Sequence, residues 1–177
     1  HGGFTLPQFD GHPHSWWTKK GGNEVGKRCL PQGTDPVNAR TYTYSNAQPA
    51  AMLWYHDHAM GITRLNVYAG LAGLYFVRDA QDDPRPGFGL NLPKGNYEIP
   101  LVIQDKTFNL DGSLWYPILG MTPVHPMWMP EFFGDTPVVN GKCYPFHNVE
   151  PRKYRFRIVN GSQARFYNLW ITSPAKG

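Results

Sequence analysis

The 177-residue sequence has only two cysteines, no long hydrophobic run and no cluster of lysine and arginine. No stretch of about 18 apolar residues occurs, so no segment is predicted to span a membrane as a helix. The 17 basic and 13 acidic residues are dispersed along the chain, which argues against a nucleic-acid partner. Cys29 and Cys143 have no metal-binding spacing. They could be two free thiols or one disulfide, so they do not indicate the cellular compartment of the protein.

Turn-forming and aromatic residues are abundant instead. The chain has 19 glycines and 17 prolines, and 15% of its residues are aromatic, a mixture that favours many short strands joined by turns over long helices. The length is sufficient for one all-β domain or two small ones with a buried core. The composition therefore predicts an all-β protein.

Residues 52–79, MLWYHDHAMGITRLNVYAGLAGLYFVRD, contain the most informative pattern. An apolar strand is predicted to lead into His56 and His58, one or two helical turns follow, and residues 67–77 return as a second buried strand. Alternate side chains of an extended backbone point to the same side, so both imidazoles can reach a shared metal or metal cluster. Imidazole suits zinc, copper, iron or nickel, so the spacing alone does not select the metal.

The remaining histidines are predicted to be structural. His12 and His14 have the same one-residue spacing, but Pro13 between them indicates a rigid loop. His125 and His147 are isolated and are assigned to a loop and a strand.

Further short strands are predicted on both sides of a proline- and glycine-rich linker at residues 82–94. Asn140-Gly141 is a strong signal for a hairpin turn. In residues 153–160, KYRFRIVN, the alternation predicts that the tyrosine, phenylalanine and isoleucine face a core while Arg155 and Arg157 face water. The predicted strands are residues 40–45, 97–104, 136–140, 143–149, 153–160 and 166–171.

Several long motifs resemble those of one family. WYHDHAMGITRLNVYAGLAG resembles the second copper-ligand motif of bacterial multicopper oxidases of the spore-coat laccase and bilirubin oxidase type. HGG followed by DGHPHSWW is similar to their first motif, usually His-x-His-Gly. The similarity continues through DGSLWYP, FGDTPVVNGKCYPF and EPRKYRFRIVNGSQARFYNL, so it covers essentially the whole chain in the expected order.

This resemblance implies cupredoxin-like Greek-key β-sandwiches. It assigns residues 1–80 to the C-terminal part of a first cupredoxin domain, residues 81–96 to a linker and residues 97–177 to the N-terminal part of a second. It also implies that a phenolic or similar donor gives up single electrons at a type 1 copper. These electrons would reduce dioxygen to water at a trinuclear cluster of one type 2 and two type 3 coppers.

The matching motifs assign roles to four residues of this chain. His1, His56 and His58 are expected to be type 3 copper ligands. Asp10 resembles an acid that relays protons to the cluster, which is sensible chemistry because dioxygen reduction consumes protons. A turn-capping role before Gly11 is the alternative for Asp10.

The chain also departs from the family pattern. The first histidine of His-x-His-Gly would precede His1, and the His-x-x-His-x-His and His-Cys-His motifs of the last domain are absent. Neither Cys29 nor Cys143 has a flanking histidine, so the type 1 ligands and most type 2 ligands are missing.

These departures predict an internal fragment that lacks the C-terminal cupredoxin domain and is inactive alone. Its open strand edges are expected to be covered either by partner copies in a homo-oligomer or by the rest of a longer enzyme. The alternative is a non-catalytic, self-associating copper-binding β-module. By family resemblance, an extracellular, periplasmic or spore-coat location is expected.

Overall fold

The computed structural model describes residues 1–18, 24–25, 41–119 and 127–172, which form short strands with one α-helix among them. No helix in these ranges is long and apolar enough to cross a membrane. Two 3-10 turns occur at Pro7–Phe9 and Gly95–Tyr97. The other elements are β1 Trp17–Thr18, β2 Glu24–Val25, β3 Ala51–His56, α1 Thr63–Ala69, β4 Ala72–Val77, β5 Glu98–Lys106, β6 Ile118–Leu119, β7 Met127–Trp128, β8 Thr136–Val139, β9 Lys142–Cys143 and β10 Arg155–Asn160.

The sheet that carries the histidine pair is formed by β3 and β4. The two strands are antiparallel, with Ala51 opposite Val77 and His56 opposite Ala72. Helix α1 lies in the connection between them. The helix ends at Ala69 and is capped by Gly70, whose φ of 102° lies in the left-handed region that glycine adopts without steric cost. The predicted order of strand, helical turns and returning strand is confirmed. Residues 67–69, which were predicted to be extended, belong instead to α1, and β4 begins at Ala72.

The second sheet has the strand order β10-β5-β8-β9. Strand β10 runs parallel to β5, and β8 pairs with β5 in the antiparallel direction. Strands β8 and β9 form the predicted hairpin, in which Asn140 and Gly141 have φ angles of 49° and 79°. Positive φ at both turn residues gives the backbone twist that a tight hairpin requires.

Three of the predicted strands differ from the structure. Residues 41–47, 144–154 and 166–171 form no strand, whereas β9 ends at Cys143. Tyr144 has a φ of 44°, and Pro145 has no N–H to continue the ladder, so the chain leaves β8 at this point. An alternating sequence becomes a strand only where a neighbouring backbone pairs with it.

The prediction for the two faces of β10 is also wrong. Arg155 and Arg157 contact carboxylates, whereas Phe156 and Ile158 are 45% and 40% exposed. The side chains of β10 do alternate between two faces. The acidic partners of the two arginines, which are distant in sequence, determine which of these faces is covered.

Five charged residues form an ion-pair network between the end of β4 and the first residues of β5 and β10. Arg78 Nη2 lies 2.8 Å from Glu98 Oε2, and Arg157 Nε lies 2.7 Å from Glu98 Oε1. Arg157 Nη2 is also 2.8 Å from Asp82 Oδ2, and Arg155 pairs with the other oxygen of Asp82. The network joins the segment after β4 to the second sheet.

This network predicts a loss of stability in acid. Burial alone would raise the pKa of Glu98, but the hydrogen bonds and charges of Arg78 and Arg157 outweigh it and lower this pKa. The pKa of Asp82 is lowered in the same way by Arg155 and Arg157. A carboxyl whose folded pKa is depressed stabilises the fold above its unfolded pKa of about 4, and this contribution disappears as the pH falls through the folded pKa.

Urea unfolding between pH 7 and pH 2 measures this dependence. We expect the free energy of unfolding to fall below about pH 4. Glu98→Gln should reduce it by about 2 kcal/mol at pH 7 and flatten the acid slope, because the variant has lost one titrating partner. Glu131→Gln, at an exposed position, is the control. Equal slopes in both variants would contradict the role of the network.

Helix α1 packs against the second half of the chain. Tyr68 is 2% exposed, and its hydroxyl donates to the Trp115 carbonyl at 2.9 Å and accepts from the Thr107 N–H at 3.0 Å. Arg64 Nε donates to Gln163 Oε1 at 2.6 Å. These contacts hold the helix that follows the histidine pair. The division of the chain at residues 81–96 stays a prediction.

Candidate metal centre

Three histidines that are distant in sequence lie together at the end of β3. His56 is the last residue of the strand, His58 follows two residues later, and His1 lies beside both. The Nδ1 atom of His1 is 2.8 Å from the Nε2 atom of His56. The ring centroids are 4.8 Å apart for His1 and His56, 5.8 Å for His56 and His58, and 6.0 Å for His1 and His58. The structure therefore brings together the three predicted ligands.

The imidazole of His56 is fixed on two sides. Its Nδ1 atom lies 2.6 Å from the Asp57 carbonyl oxygen. Because a carbonyl only accepts, Nδ1 carries the proton and Nε2 keeps its lone pair. The Trp54 ring stacks on the imidazole at a centroid distance of 4.2 Å and an interplanar angle of 29°. His56 thus presents an unprotonated nitrogen to its neighbours, which is the form that binds a metal.

The segment that carries His1 is held against β3 by hydrogen bonds. The His1 backbone nitrogen donates to the Trp54 carbonyl at 2.6 Å. The Gln48 side chain accepts from the Phe4 N–H at 2.8 Å and donates to the Gly2 carbonyl at 3.2 Å. One amide side chain therefore satisfies both a donor and an acceptor of this segment and places His1 in register with the strand.

A turn follows β3, so His58 lies outside the strand. Asp57 Oδ1 accepts the Ala59 N–H at 3.0 Å, which is an Asx turn. Ala59 is buried, whereas His58 is exposed. The turn ends the strand immediately after His56 and leaves the second imidazole accessible.

Asp10 lines the same open cleft of about 870 Å³ as the three histidines. It follows the 3-10 turn Pro7–Phe9, and its Oδ1 atom accepts the Thr5 hydroxyl at 3.1 Å. Its neighbour Gly11 lies against His58, because a Cβ built on Gly11 would be 3.5 Å from the His58 Cβ. The structure places Asp10 in the histidine cleft, and its proton-relay role stays a prediction.

Tyrosines contribute to the wall of this cleft. Tyr42 and Tyr44 are stacked with ring centroids 6.3 Å apart, and the Tyr75 hydroxyl donates to Asn46 Oδ1 at 2.9 Å. Burial raises the pKa of Tyr44, and the nearby Tyr75 adds to this effect. The Tyr44 hydroxyl therefore stays protonated at neutral pH.

The other histidines and the cysteines lie outside the cluster or outside the described residues. His12 and His14 belong to a turn in which the His14 N–H donates to His12 Nδ1 at 3.1 Å. His12 also lines the cleft, and its assignment to a rigid loop stays a prediction. His147 lies in an exposed loop and not in the predicted strand. Cys143 is an exposed free thiol. His125 and Cys29 lie outside the described residues.

The donor atoms and the charge of the cleft suit a metal ion, but the cleft contains only some of the ligands that the metal would need. Its lining contains imidazoles and the carboxylates Asp10 and Asp57, and no lysine or arginine is among the described lining residues. Imidazole is a good ligand for copper. Within the described part of the chain, however, no group of three or more His, Cys, Asp or Glu residues is arranged to hold a metal ion. Further ligands would have to join these histidines.

Comparison with known proteins defines the class to which this histidine cluster belongs. The family model for multicopper oxidases matches residues 12–82, which include His56 and His58. The chain belongs to the multicopper oxidase family. Its fold is cupredoxin-like, consistent with the all-β prediction, and the family implies copper as the metal.

Alignments with individual relatives show how similar the chain is to them and how much of each relative it covers. The chain is 45% identical over 174 residues to a laccase of Bacillus subtilis, an alignment that covers 96% of this chain and 31% of the relative. It is 45% identical to multicopper oxidase LPR1 homolog 1 of Oryza sativa subsp. japonica, over 98% of this chain and 28% of the relative. The chain thus spans about a third of the length of these relatives.

A solved structure supports the same assignment. The 2F4 variant of the McoA multicopper oxidase from Aquifex aeolicus is 41% identical and superposes with a TM-score of 0.54. The superposition covers 66% of this chain and 23% of that one.

Two residues that position the site have no clear signal in the sequence. Gln48 acts on the His1 segment over a separation of 46 and 44 residues. In the sequence Trp54 is indistinguishable from the other apolar residues of the strand, although its ring contacts His56 and its carbonyl accepts from the His1 nitrogen. The Asx turn at Asp57, in contrast, follows a recognisable rule for Asp after a strand.

Proposed function

We propose that this chain is part of a laccase-like multicopper oxidase that oxidises phenolic or related one-electron donors and reduces dioxygen to water. In this proposal His1, His56 and His58 are type 3 ligands of a trinuclear copper cluster. The observation that carries the proposal is the convergence of the three imidazoles in one cleft. The family and the laccase of Bacillus subtilis among the relatives support the substrate class.

When bound, copper supplies the redox chemistry, passing single electrons from an organic donor to dioxygen. The chain supplies orientation and protons. The Asp57 carbonyl and the Trp54 ring hold His56 with its Nε2 lone pair directed at the His1 ring, which lines the same cleft. Preorganised rings of this kind do not have to reorient when the metal binds.

Asp10 provides a place for a proton beside the histidines. Its Oδ1 atom is engaged by the Thr5 hydroxyl, and its Oδ2 atom has no hydrogen-bond partner among the described residues. We propose that Oδ2 takes up protons from solvent and gives them to the reduced oxygen. The exposure of Asp10 at the cleft allows this exchange.

We propose that the remaining copper ligands come from outside this chain. Neither Cys29 nor Cys143 has a neighbouring histidine in sequence, and a blue site requires two histidines and one cysteine. We therefore propose that the chain contributes one edge of the cluster and does not catalyse the oxidase reaction alone. The division into residues 1–80, a linker at 81–96 and residues 97–177 is part of this proposal.

Copper titration of the purified chain tests this division of ligands. We expect no intense blue absorption and weak copper binding that a chelator reverses, because only a partial ligand set is present. Electron paramagnetic resonance should show imidazole nitrogen coupling, and His56→Ala should reduce it. An intense blue chromophore in the chain alone would contradict the proposal.

A second candidate function is a non-catalytic, self-associating copper-binding β-module. The exposed apolar side chains favour it, since Phe146 is 87% exposed and Trp170 is 85% exposed. Exposed apolar groups of this size promote association. Tight, stoichiometric copper in an oligomer would favour the module, whereas a monomer with weak copper binding favours the oxidase fragment.

A further inference from the structure

A second cavity, of about 570 Å³, lies on one face of the sheet formed by β5 and β8. Alternate residues of β5 and its continuation line it, because side chains two positions apart point to the same face. The lining residues from this strand are Val102, Gln104, Lys106 and Phe108. The end of α1 and Gly70 line another part of the cavity.

Lys106 is the only charged residue among the described lining residues, and its side chain is almost fully enclosed. It is 6% exposed. A Cβ built on Gly70 would be 3.4 Å from Lys106 Nζ, so the ammonium lies beside another lining residue of the cavity. Within the described part of the chain, the Nζ atom has no hydrogen bond, and Lys106 has no ion pair.

The two neighbouring side-chain amides, Gln104 and Asn140, form hydrogen bonds to groups other than Lys106. Gln104 Nε2 donates to the Val67 carbonyl at 2.7 Å and to the Gly161 carbonyl at 3.2 Å. Asn140 Oδ1 accepts the Val102 N–H at 2.9 Å, and Asn140 Nδ2 donates to the Pro100 carbonyl at 2.8 Å. The three ammonium protons of Lys106 are therefore available to a ligand.

The C-terminal end of α1 explains part of the position of Lys106. A cation near a helix C-terminus is favoured by the helix dipole. The last turn of α1 is nevertheless closed by its own backbone, since the Gly70 N–H bonds the Asn66 and Val67 carbonyls. Burial lowers the pKa of Lys106, and nearby Cys143 partly opposes this effect, so the ammonium is incompletely compensated.

We propose that this cavity binds a small apolar carboxylate whose anionic group pairs with the Lys106 ammonium. The apolar body of the ligand would lie against Val102, Phe108, Leu114 and Val138, which line the rest of the cavity. The volume is within the range of small-molecule sites. A carboxylate supplies both the charge and the hydrogen-bond acceptors that Lys106 lacks.

Benzoate is a suitable probe, because it combines a carboxylate with a compact apolar ring. Calorimetric titration of the purified chain should show saturable binding of benzoate and at least about tenfold weaker binding of the neutral benzyl alcohol. This comparison requires no variant, so it is independent of any effect of mutation on folding. No heat with benzoate at 10 mM, or equal binding of both probes, would overturn the proposal.

Variants assign the effect to Lys106. Lys106→Met keeps an unbranched side chain and removes the charge, so benzoate affinity should fall about tenfold or more, while Lys106→Arg should retain binding. Lys142→Met, at an exposed lysine of β9, is the matched control and should bind benzoate as the unmodified chain does. Equal affinity in the Lys106→Met and Lys142→Met variants would exclude Lys106 as the anion-binding group. This test does not depend on copper or on the proposed oxidase activity.

Discussion

Replacing His56 with alanine is expected to abolish oxidase activity in the longer enzyme that the proposed function requires. His56 presents a lone pair at Nε2 and lies at the centre of the three-histidine cluster. Loss of groups that merely orient a metal ligand typically costs 10–100-fold in affinity or activity. Loss of the ligand itself should therefore reduce turnover by more than about 100-fold, and copper content should fall with it.

His14→Ala is the matched control for this experiment. His12 and His14 have the same spacing as His56 and His58, but they form a turn instead of the end of a strand. We expect the variant to retain copper and to change turnover by less than about twofold. If His14→Ala lowers activity as much as His56→Ala does, the copper ligands have been assigned to the wrong histidine pair.

Gly134→Ala is expected to reduce the free energy of unfolding by about 3 kcal/mol. A Cβ on Gly134 would lie 2.5 Å from the Lys106 backbone nitrogen, which a rotamer change cannot relieve. The Gly134 N–H also donates to Asp105 Oδ2 at 2.7 Å, and Asp105 is 3% exposed. Moving this backbone weakens the hydrogen bonding of a buried carboxylate that also pairs with Arg165.

Urea unfolding of Gly134→Ala can be compared with Gly3→Ala. A Cβ on Gly3 would meet Thr5 Cγ2 at 3.5 Å and Leu53 at 3.9 Å, which are ordinary contacts. The control should therefore stay within about 0.5 kcal/mol of the unmodified chain. A Gly134→Ala variant as stable as the Gly3→Ala variant would show that the backbone around β5 relaxes freely.

The parts of the fold that were predictable are encoded by neighbouring residues. Strand β3 and its return in β4 follow from continuous apolar runs, and the β8–β9 hairpin follows from Asn140-Gly141. Both features depend on local backbone preferences. The sequence of residues 166–171 has a similar apolar character but forms no strand, because strand formation also requires a pairing partner.

The faces of β10 show why alternation alone is insufficient. Arg155 and Arg157 were predicted to be in water because they are charged. They instead contact Asp82 and Glu98, whose positions more than 50 residues earlier could not be inferred from the local pattern. Charged residues are buried when they find such partners, and the opposite face of the strand is then the exposed one.

The convergence of the three histidines was predictable from the sequence, but the residues that hold them in place were not. The spacing of His56 and His58 and the motif around His1 predicted three ligands, and the structure brings all three together. The contacts of Trp54 and Gln48 depend on tertiary geometry. The burial of Lys106 could likewise not be predicted from the sequence, because a lysine on a strand is normally expected to face solvent.

The central claim is that these three histidines are ligands of one copper cluster. Anomalous scattering at the copper absorption edge, measured on crystals of the longer oxidase grown with copper, tests it directly. We predict copper peaks about 2 Å from His56 Nε2 and within ligand distance of His1 and His58. Fully occupied copper elsewhere in the protein, with no peak in the cleft between His1, His56 and His58, would contradict the claim.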